Sequence, residues 1–360
     1  MNISSGRRSL RLRLVMLALG ALLVAGCGSS GPSEGERASR PTAVRLLTHD
    51  SFSVSDSVLA EFEQRTGIKV EIVKGGDAVE VVNQAILTRG NPQGDVLFGV
   101  DNNLLTRVLD EGLFQPYESP GLADVDPTYV LDRGHRLTPI DVGDVCVNYD
   151  RAFFRAKGLP VPETMEDLAD PRYRDLLVVE NPATSTPGLA FLLATRAVFG
   201  DGWLDYWRAL KANGVTVADG WEQAYYSVFS GGSGEGDRPL VVSYASSPAA
   251  EVSDPSIPVD DAPTGFVPAT CYRQIEFAGI LEGAAHPEAA RQLIDFLLSV
   301  PFQQDVPLRM FVYPVNRSAT LPEAFTKFAA LVPQPLALPP EEVAANRDRW
   351  IGEWTSLFSS

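Results

Sequence analysis

The hydrophobic pattern along most of the chain alternates short apolar runs with amphipathic segments. Residues 44–48, 68–73 and 95–100 are apolar runs of strand length, which is typical of buried strands. Between them, residues 56–66 and 79–89 carry apolar side chains at helical spacing. The order strand, helix, strand, helix, strand predicts a largely parallel sheet with helices packed on its faces.

Polar side chains follow each of these predicted strands. His49 and Asp50 come after the first strand, Asp77 after the second and Asp101 after the third. Open sheets of this kind bind ligands at the carboxyl ends of their strands. We therefore expect these residues on one edge of the sheet, where the three carboxylates would complement a cationic ligand.

A second set of alternating elements begins near residue 139. Apolar runs at residues 142–149, 176–180 and 240–243 predict strands, and residues 215–217 predict a shorter one. This second α/β unit also places polar and aromatic residues after its strands. A cleft between the two edges is therefore the expected binding site.

The segment NPATSTPGL, residues 181–189, joins a predicted strand to a predicted helix. Thr186 suits the N-cap, and Pro187 suits the first helical position because its missing N–H is not needed there. Three hydroxyls followed by Gly188 also suit a small oxygen-bearing ligand, since the free N–H groups of a helix start point outward. Capping is the commoner use of such a segment. Contact with a ligand is the alternative for Ser185 and Thr186.

The first residues have the order of an export signal. Four arginines precede the apolar run of residues 14–26, which is too short to span a bilayer. The run leads into Cys27 and resembles a bacterial lipoprotein signal, which predicts a signal peptide over residues 1–26 and lipidation of Cys27. Residues 27–42 are rich in glycine, serine and proline and predict a flexible tether. We expect an exported protein anchored by lipid on the outer face of the cytoplasmic membrane, with the general secretory and twin-arginine routes both open.

Charge and length narrow the class of protein. The chain has a formal charge of −16, and removal of residues 1–26 leaves 26 basic and 46 acidic residues, a charge of −20. This balance argues against a nucleic-acid partner and suits a cationic ligand. About 320 folded residues predict two domains. In an oxidising compartment Cys146 and Cys271 would form a disulfide or remain two buried thiols.

The sequence carries no recognisable catalytic signature. His49, His135 and His286 stand far apart without metal-ligand spacing, and we expect no metal site and no enzyme. A secreted hydrolase using Asp50 and Asp101 is the remaining catalytic alternative.

The aromatic residues give a more specific indication. Trp221, Tyr244 and Phe311 each lie in or beside a turn that follows a strand-like run. Ring faces attract an organic cation by about 0.5 to 2 kcal/mol each. Packing between domains is the alternative for any one of them. The adjacent Tyr225 and Tyr226 raise the possibility of ferric iron, although consecutive helical side chains point about 100° apart, which favours core packing for at least one.

Seven segments carry a family resemblance. From about residue 44 to its end the chain resembles the substrate-binding proteins of bacterial ABC importers, and among them the thiamine-binding subunits. The matching segments are THDSF (48–52), GVDNNLL (99–105), NPATSTPGL (181–189), DGWEQAY (219–225), SYASSPA (243–249), YPVNRSATLP (313–322) and EEVAANRDRWIGEW (341–354).

The resemblance implies an α/β fold of the two-lobe periplasmic-binding-protein type (type II), each lobe a central mostly parallel sheet flanked by helices. Lobe 1 would comprise residues 43–138 and about 272–312, and lobe 2 residues 139–271 and about 313–360. A monomer would capture thiamine or a thiamine phosphate in the cleft and deliver it to an ABC permease and its ATPase in the membrane.

Carried over residue by residue, the resemblance also implies a ligand site. Phe311 stands where the family can have tryptophan, and His49 and Ala250 stand where family members can carry stacking tyrosines. The same fold with ferric iron, a polyamine or a related pyrimidine as ligand is the alternative. The implied site residues, with the acidic edge, are His49, Asp50, Asp77, Ala78, Asp101, Ser185, Thr186, Trp221, Tyr244, Ser246, Ser247, Pro248 and Phe311.

Overall fold

The computed structural model describes residues 42–253 and 261–359. The predicted signal peptide, the predicted lipidation site Cys27 and all but the last residue of the predicted tether lie outside the described residues.

The described part of the chain folds into strands joined in one sheet and helices that cover it. The strands are β1 (Ala43–Thr48), β2 (Lys69–Lys74), β3 (Val96–Asp101), β4 (Phe114–Gln115), β5 (Thr138–Asp150), β6 (Leu177–Glu180), β7 (Thr216–Ala218), β8 (Leu240–Tyr244), β9 (Thr264–Leu281) and β10 (Tyr313–Pro314). The α-helices are α1 (Asp56–Thr66), α2 (Ala78–Leu87), α3 (Leu105–Asp110), α4 (Arg151–Lys157), α5 (Thr186–Phe199), α6 (Trp203–Ala212), α7 (Ser247–Ala250), α8 (Pro287–Leu297), α9 (Val300–Arg309), α10 (Glu323–Phe328) and α11 (Pro340–Phe358).

The sheet contains two parallel groups joined by two long antiparallel strands. Its order is β2-β1-β3-β9-β5-β8-β6-β7, with β10 beside β5 and β4 beside β9. Strands β2, β1 and β3 are parallel to one another, as are β8, β6 and β7. Strand β9 pairs antiparallel with β3 and β5, and β5 pairs antiparallel with β8. The α/β fold predicted from the sequence is confirmed.

The lobe boundaries stay a prediction. Strands β5 and β9 pair along most of their length, with register shifts at 139/141 and 145/147, and the predicted edge at 271/272 falls inside β9. The sequence pattern did not predict β9, because its 18 residues are buried along most of their length and show no regular alternation. Cys146 of β5 and Cys271 of β9 form a disulfide between these two neighbouring strands.

Helix α5 is the centre of the larger hydrophobic core. Residues 186–195 are buried on all sides, so this helix has no polar face. The Phe191 ring packs edge-on against Trp207 of α6 at 5.7 Å, and Trp207 packs edge-on against Trp354 of α11 at 5.6 Å. A second core lies under β1 and β3, where α1 and α8 pack through Phe62 and Phe296. Packing in these two cores holds in place the strands whose carboxyl ends are followed by the predicted polar residues.

No helix within residues 42–253 and 261–359 combines the length and apolar character that crossing a membrane requires.

Candidate ligand-binding cavity

A cavity of about 370 Å³ lies where the carboxyl ends of several strands meet. Segments that follow β1, β2, β7 and β8 form its walls, and the turn after α9 closes one side. The lining residues are His49, Asp50, Ser51, Phe52, Ser53, Lys74, Asp77, Ala78, Thr186, Pro187, Trp221, Glu222, Tyr225, Tyr226, Ser233, Tyr244, Ser247, Ala250, Glu251, Glu276, Leu308, Arg309, Met310, Phe311 and Val312.

Asp77 joins three segments that are distant in sequence. Its Oδ1 accepts hydrogen bonds from the backbone N–H of Ala78 at 2.6 Å and of Thr186 at 3.1 Å, and its Oδ2 accepts one from Trp221 at 3.2 Å. Burial raises the pKa of Asp77 to about 6, although hydrogen bonds from Trp221, Ser185 and Thr186 act in the opposite direction. The Asp77 carboxylate therefore accepts a hydrogen bond from the backbone N–H of Thr186 at the start of α5, where the sequence suggested that a ligand oxygen would bind.

Ser185 and Thr186 have different surroundings. Ser185 is fully buried, and its Oγ caps α5 by accepting from the N–H of Gly188 at 3.4 Å. It is not among the residues that line the cavity, and the ligand contact expected of Ser185 stays a prediction. Thr186 does line the cavity, and its Oγ1 accepts a hydrogen bond from Nε2 of Gln274 at 3.4 Å.

An aromatic group forms one wall of the cavity. The Trp221 ring stacks on Tyr225 at 5.1 Å and meets Tyr226 edge-on at 5.5 Å, and its Nε1 donates to Oγ of Ser243 at 2.9 Å. Tyr244 lies 6.5 Å from Trp221 and completes the wall. The predicted helix here is a π-helical turn over Gln223–Val228.

The structure brings both members of the tyrosine pair to the cavity. Tyr225 is buried and its hydroxyl donates to Oε1 of Glu251 at 2.7 Å, whereas Tyr226 is half-buried. The two rings meet edge-on, with centroids 5.5 Å apart and ring planes at 86°. Burial raises the pKa of Tyr225 well above its usual value, which disfavours a phenolate. The sequence interpretation missed their place beside Trp221, which the motif DGWEQAY could have indicated.

Phe311 also lines the cavity, and its backbone adopts a conformation that is rare for residues other than glycine. Its φ of 59° is in the left-handed region, which costs about 1 kcal/mol or more for a non-glycine residue. Its N–H donates to the carbonyl of Val306, immediately after α9. The role of Phe311 as a ring face for a ligand stays a prediction.

His49 is held rigidly at the base of the cavity. Its Nδ1 lies 2.8 Å from Oγ of Ser51, its ring packs on Phe98, and Gly99 leaves the space for it: a Cβ there would lie 2.7 Å from His49 Cδ2. Nε2 is 3.7 Å from Oε1 of Glu276, which is the separation of a weak ion pair. Burial lowers the pKa of His49 to about 4 and raises that of Glu276, and both shifts weaken this ion pair.

Charged side chains at the rim are mostly acidic. Asp50, Glu222 and Glu251 line the cavity with Lys74 and Arg309. Burial raises the pKa of Asp50 and of Glu222. Lys74 donates to the carbonyl of Asp50 at 2.8 Å, and so its charge remains close to these carboxylates.

Besides Ser185, three predicted site residues do not line the cavity. Asp101 is fully buried, and its carboxylate accepts from the N–H of Asn103 and Leu104 to close the turn into α3. Asp50 lines the cavity and Asp101 does not, so the place of Asp101 in the acidic edge, and the hydrolase hypothesis that pairs it with Asp50, stay predictions without support from this geometry. Ser246 and Pro248 are buried behind the wall, where α7 packs.

The remaining predicted residues do line the cavity. Ser247 lines it with its Oγ 2.9 Å from that of Ser243, and Ala250 leaves room where a larger side chain would project. In the described ranges, no group of three or more histidine, cysteine, aspartate or glutamate side chains is arranged to hold a metal ion. The predicted residues brought together are His49, Asp50, Asp77, Ala78, Thr186, Trp221, Tyr244, Ser247 and Phe311.

Comparison with known proteins gives concordant results. A family model described as bacterial extracellular solute-binding protein matches residues 91–331. A thiamine-binding periplasmic protein of Escherichia coli K12 is 30% identical over 318 residues, covering 87% of this chain and 93% of the relative.

Solved structures support the same fold. One described as a periplasmic thiamin binding protein has a TM-score of 0.77 at 29% identity, over 88% of this chain and 96% of its own. A ferric binding protein from Campylobacter jejuni has a TM-score of 0.68 at 17% identity, over 87% and 99%, which shows a shared fold alone.

Proposed function

The chain belongs to the family of bacterial extracellular solute-binding proteins, and from this premise we propose that it captures thiamine or a thiamine phosphate in the cavity described above and delivers it to an ABC permease. Binding and delivery require no chemical change of the ligand, in keeping with relatives that are solute-binding proteins.

The observation that carries the proposal is the combination of ring faces and carboxylates in one cavity. Trp221, Tyr244 and Phe311 line it together with Asp50 and Glu276. Thiamine carries a permanently cationic thiazolium ring and a flat aminopyrimidine. Aromatic faces attract such a cation by about 0.5 to 2 kcal/mol each, and the carboxylates supply the opposite charge.

Delivery would depend on closure of two lobes around the ligand. In this proposal lobe 1 comprises residues 43–138 and about 272–312, and lobe 2 the remainder from residue 139. Asp77, the N-cap of α2, bonds to the start of α5 and to Trp221, and so connects the two proposed lobes. Hinge closure of this kind presents a changed surface to a partner. Lipid attachment at Cys27 would keep the protein near the permease.

Calorimetric titration of the chain from residue 28 onward with thiamine, its monophosphate and its diphosphate tests the proposal. We expect heat of binding and one site for at least one of the three. Absence of binding by all three at protein concentrations of about 10 to 100 μM, in protein with a cooperative unfolding transition, would refute it.

Ferric iron is the second candidate, because Tyr225 and Tyr226 both line the cavity. Coordination by phenolate would have to break the Tyr225 hydrogen bond to Glu251 and remove a proton whose pKa is raised. A visible absorption band on addition of ferric citrate, lost in Tyr226→Phe, would support iron. A colourless titration would exclude tyrosinate coordination.

A further inference from the structure

Two carboxyl groups face each other across neighbouring strands at the base of the cavity. Glu276 of β9 and Asp141 of β5 are directly paired in the sheet register. Glu276 lines the cavity, and Asp141 lies behind it with 1% of its surface exposed. Oδ2 of Asp141 has no hydrogen-bond partner in the described structure. Of the two carboxyl groups, Glu276 is therefore the one that a ligand in the cavity can contact.

The charged groups that influence Glu276 most are acidic, and Lys74 and Arg309, which line the same cavity, form no ion pair with it. The groups that face Glu276 come from each element packed around it: Asp141 from β5, Asp101 from the end of β3, Asp77 from the start of α2, Tyr244 from the end of β8, and His49 after β1. Nε2 of His49 is buried and has no hydrogen-bond partner in the described structure. Within the described residues, no lysine or arginine forms an ion pair with Glu276 or Asp141.

Two adjacent carboxyl groups in a dry site cannot both ionise at low cost. Each carboxylate loses its hydration, and a second negative charge beside the first adds repulsion. Burial and this mutual repulsion raise the pKa of Glu276, and burial raises that of Asp141. The free protein therefore keeps a proton on the pair near neutral pH. His49 does not take that proton, because burial lowers its pKa to about 4.

We propose that Glu276 and Asp141 form the counter-charge for the cationic part of the ligand, and that the pair releases its shared proton to solvent when the cation enters the cavity. The inference rests on the proposed function, since it requires a cationic ligand in this cavity. The exchange balances: one positive charge enters the site, one proton leaves to the buffer, and the ligand is not altered.

A purely structural role for the pair predicts a different behaviour. A buried acid pair that only supports the sheet would keep its proton in both states, because the cation would bind away from it. The cavity-facing position of Glu276 and the unpartnered atoms of His49 and Asp141 distinguish this pair from Asp101, whose carboxylate is fully used in a turn.

Proton release is measured by titrating thiamine into the full extracytoplasmic chain in two buffers of different ionisation enthalpy. We expect release approaching one proton per bound ligand near neutral pH, and affinity that rises by up to about tenfold per pH unit while the free pair retains its proton. Binding without proton release would refute the inference and leave the proposed function intact. Absence of binding would instead refute the proposed function.

Three variants locate the source of the proton. Glu276→Gln should lose proton release and weaken thiamine binding about tenfold or more at pH 8, since it removes the carboxylate nearest the cavity. Asp141→Asn keeps that carboxylate and offers it an amide donor, so affinity at neutral pH should be retained while proton release falls. Glu282→Gln is the matched control, because Glu282 is exposed just beyond the end of β9. It should behave as the parent chain.

Unfolding midpoints of all three variants show whether each is folded before binding is compared. If Glu276→Gln is folded and still releases a proton, another group such as Asp77 is the source and the inference is wrong. If Glu276→Gln does not fold, the Asp141→Asn titration decides: undiminished proton release in that variant contradicts the shared-proton pair.

Discussion

Replacing Asp77 by asparagine should change how stability depends on pH. Burial raises the pKa of Asp77 from 3.8 to about 6, and so the folded protein holds this proton more tightly than the unfolded chain. A raised pKa of this kind contributes stability that is complete below the unfolded pKa and is lost as pH rises through the folded pKa. Asp77 therefore favours folding at pH 5 relative to pH 8.

The magnitude follows from the two pKa values. At pH 5 the folded protein still holds most of this proton, whereas the unfolded chain has lost it. Integrated from pH 5 to pH 8, the difference in bound protons amounts to about one proton over one pH unit. This corresponds to about 1.4 kcal/mol of unfolding free energy. Asparagine preserves the size of the side chain and can still accept from Ala78 and Thr186. It cannot titrate, so the variant should lose about 1.4 kcal/mol of the difference in unfolding free energy between the two pH values.

Urea denaturation at pH 5, 6, 7 and 8 measures this difference. Asp110→Asn is the matched control, because Asp110 is exposed at the end of α3. The control should follow the parent chain at every pH. If Asp77→Asn shows the same pH dependence as the parent, or a steeper loss toward pH 8, the burial argument for Asp77 is refuted.

Three further predictions concern the cavity and its supports. Trp221→Ala should weaken thiamine binding about 2- to 30-fold, because one ring face is lost. Trp221→Phe keeps a ring and should weaken binding less. If calorimetry gives both variants the affinity of the parent chain, Trp221 is not part of the site. Ser185→Ala should lower the unfolding free energy by about 1 kcal/mol through loss of the helix cap, with little change in affinity, and a large affinity loss at unchanged stability would support the ligand-contact assignment. Serine at both Cys146 and Cys271 should lower the unfolding free energy by about 2 to 4 kcal/mol, measured by urea denaturation, and unchanged stability would show that the disulfide adds nothing to the fold.

Much of the fold was predictable because local patterns and tertiary packing agree. The predicted helix at residues 56–66 matches α1, which ends at Gly67 in the left-handed conformation that glycine adopts easily. The predicted strand at residues 95–100 matches β3 to within one residue. Strand β9 was not predicted, because a strand buried on both faces lacks the alternation that identifies strands in sequence.

The candidate site was predictable in part. Positions after strands indicated His49, Asp50 and Trp221, and these do line the cavity. The same rule also selected Asp101, which does not line the cavity, because a carboxylate after a strand can close the next turn as readily as face a ligand. Glu276 lies in the middle of β9 rather than at a strand end, so no rule about strand ends could have found it.

The sequence by itself indicated an exported, acidic protein of the α/β fold class. An export-type N-terminus, an excess of acidic residues and alternating α/β segments follow from composition and order along the chain. The tertiary structure decided which side chains share an environment. Ser185 and Thr186 are neighbours in sequence, yet one is buried as a helix cap and the other faces the cavity.

The pairing of Asp141 with Glu276 shows the same limit. These residues are far apart along the chain, and only the register between β5 and β9 places them side by side. Burial, charge proximity and hydrogen bonding depend on distances in space, and those distances set the pKa values on which the proposed proton exchange depends.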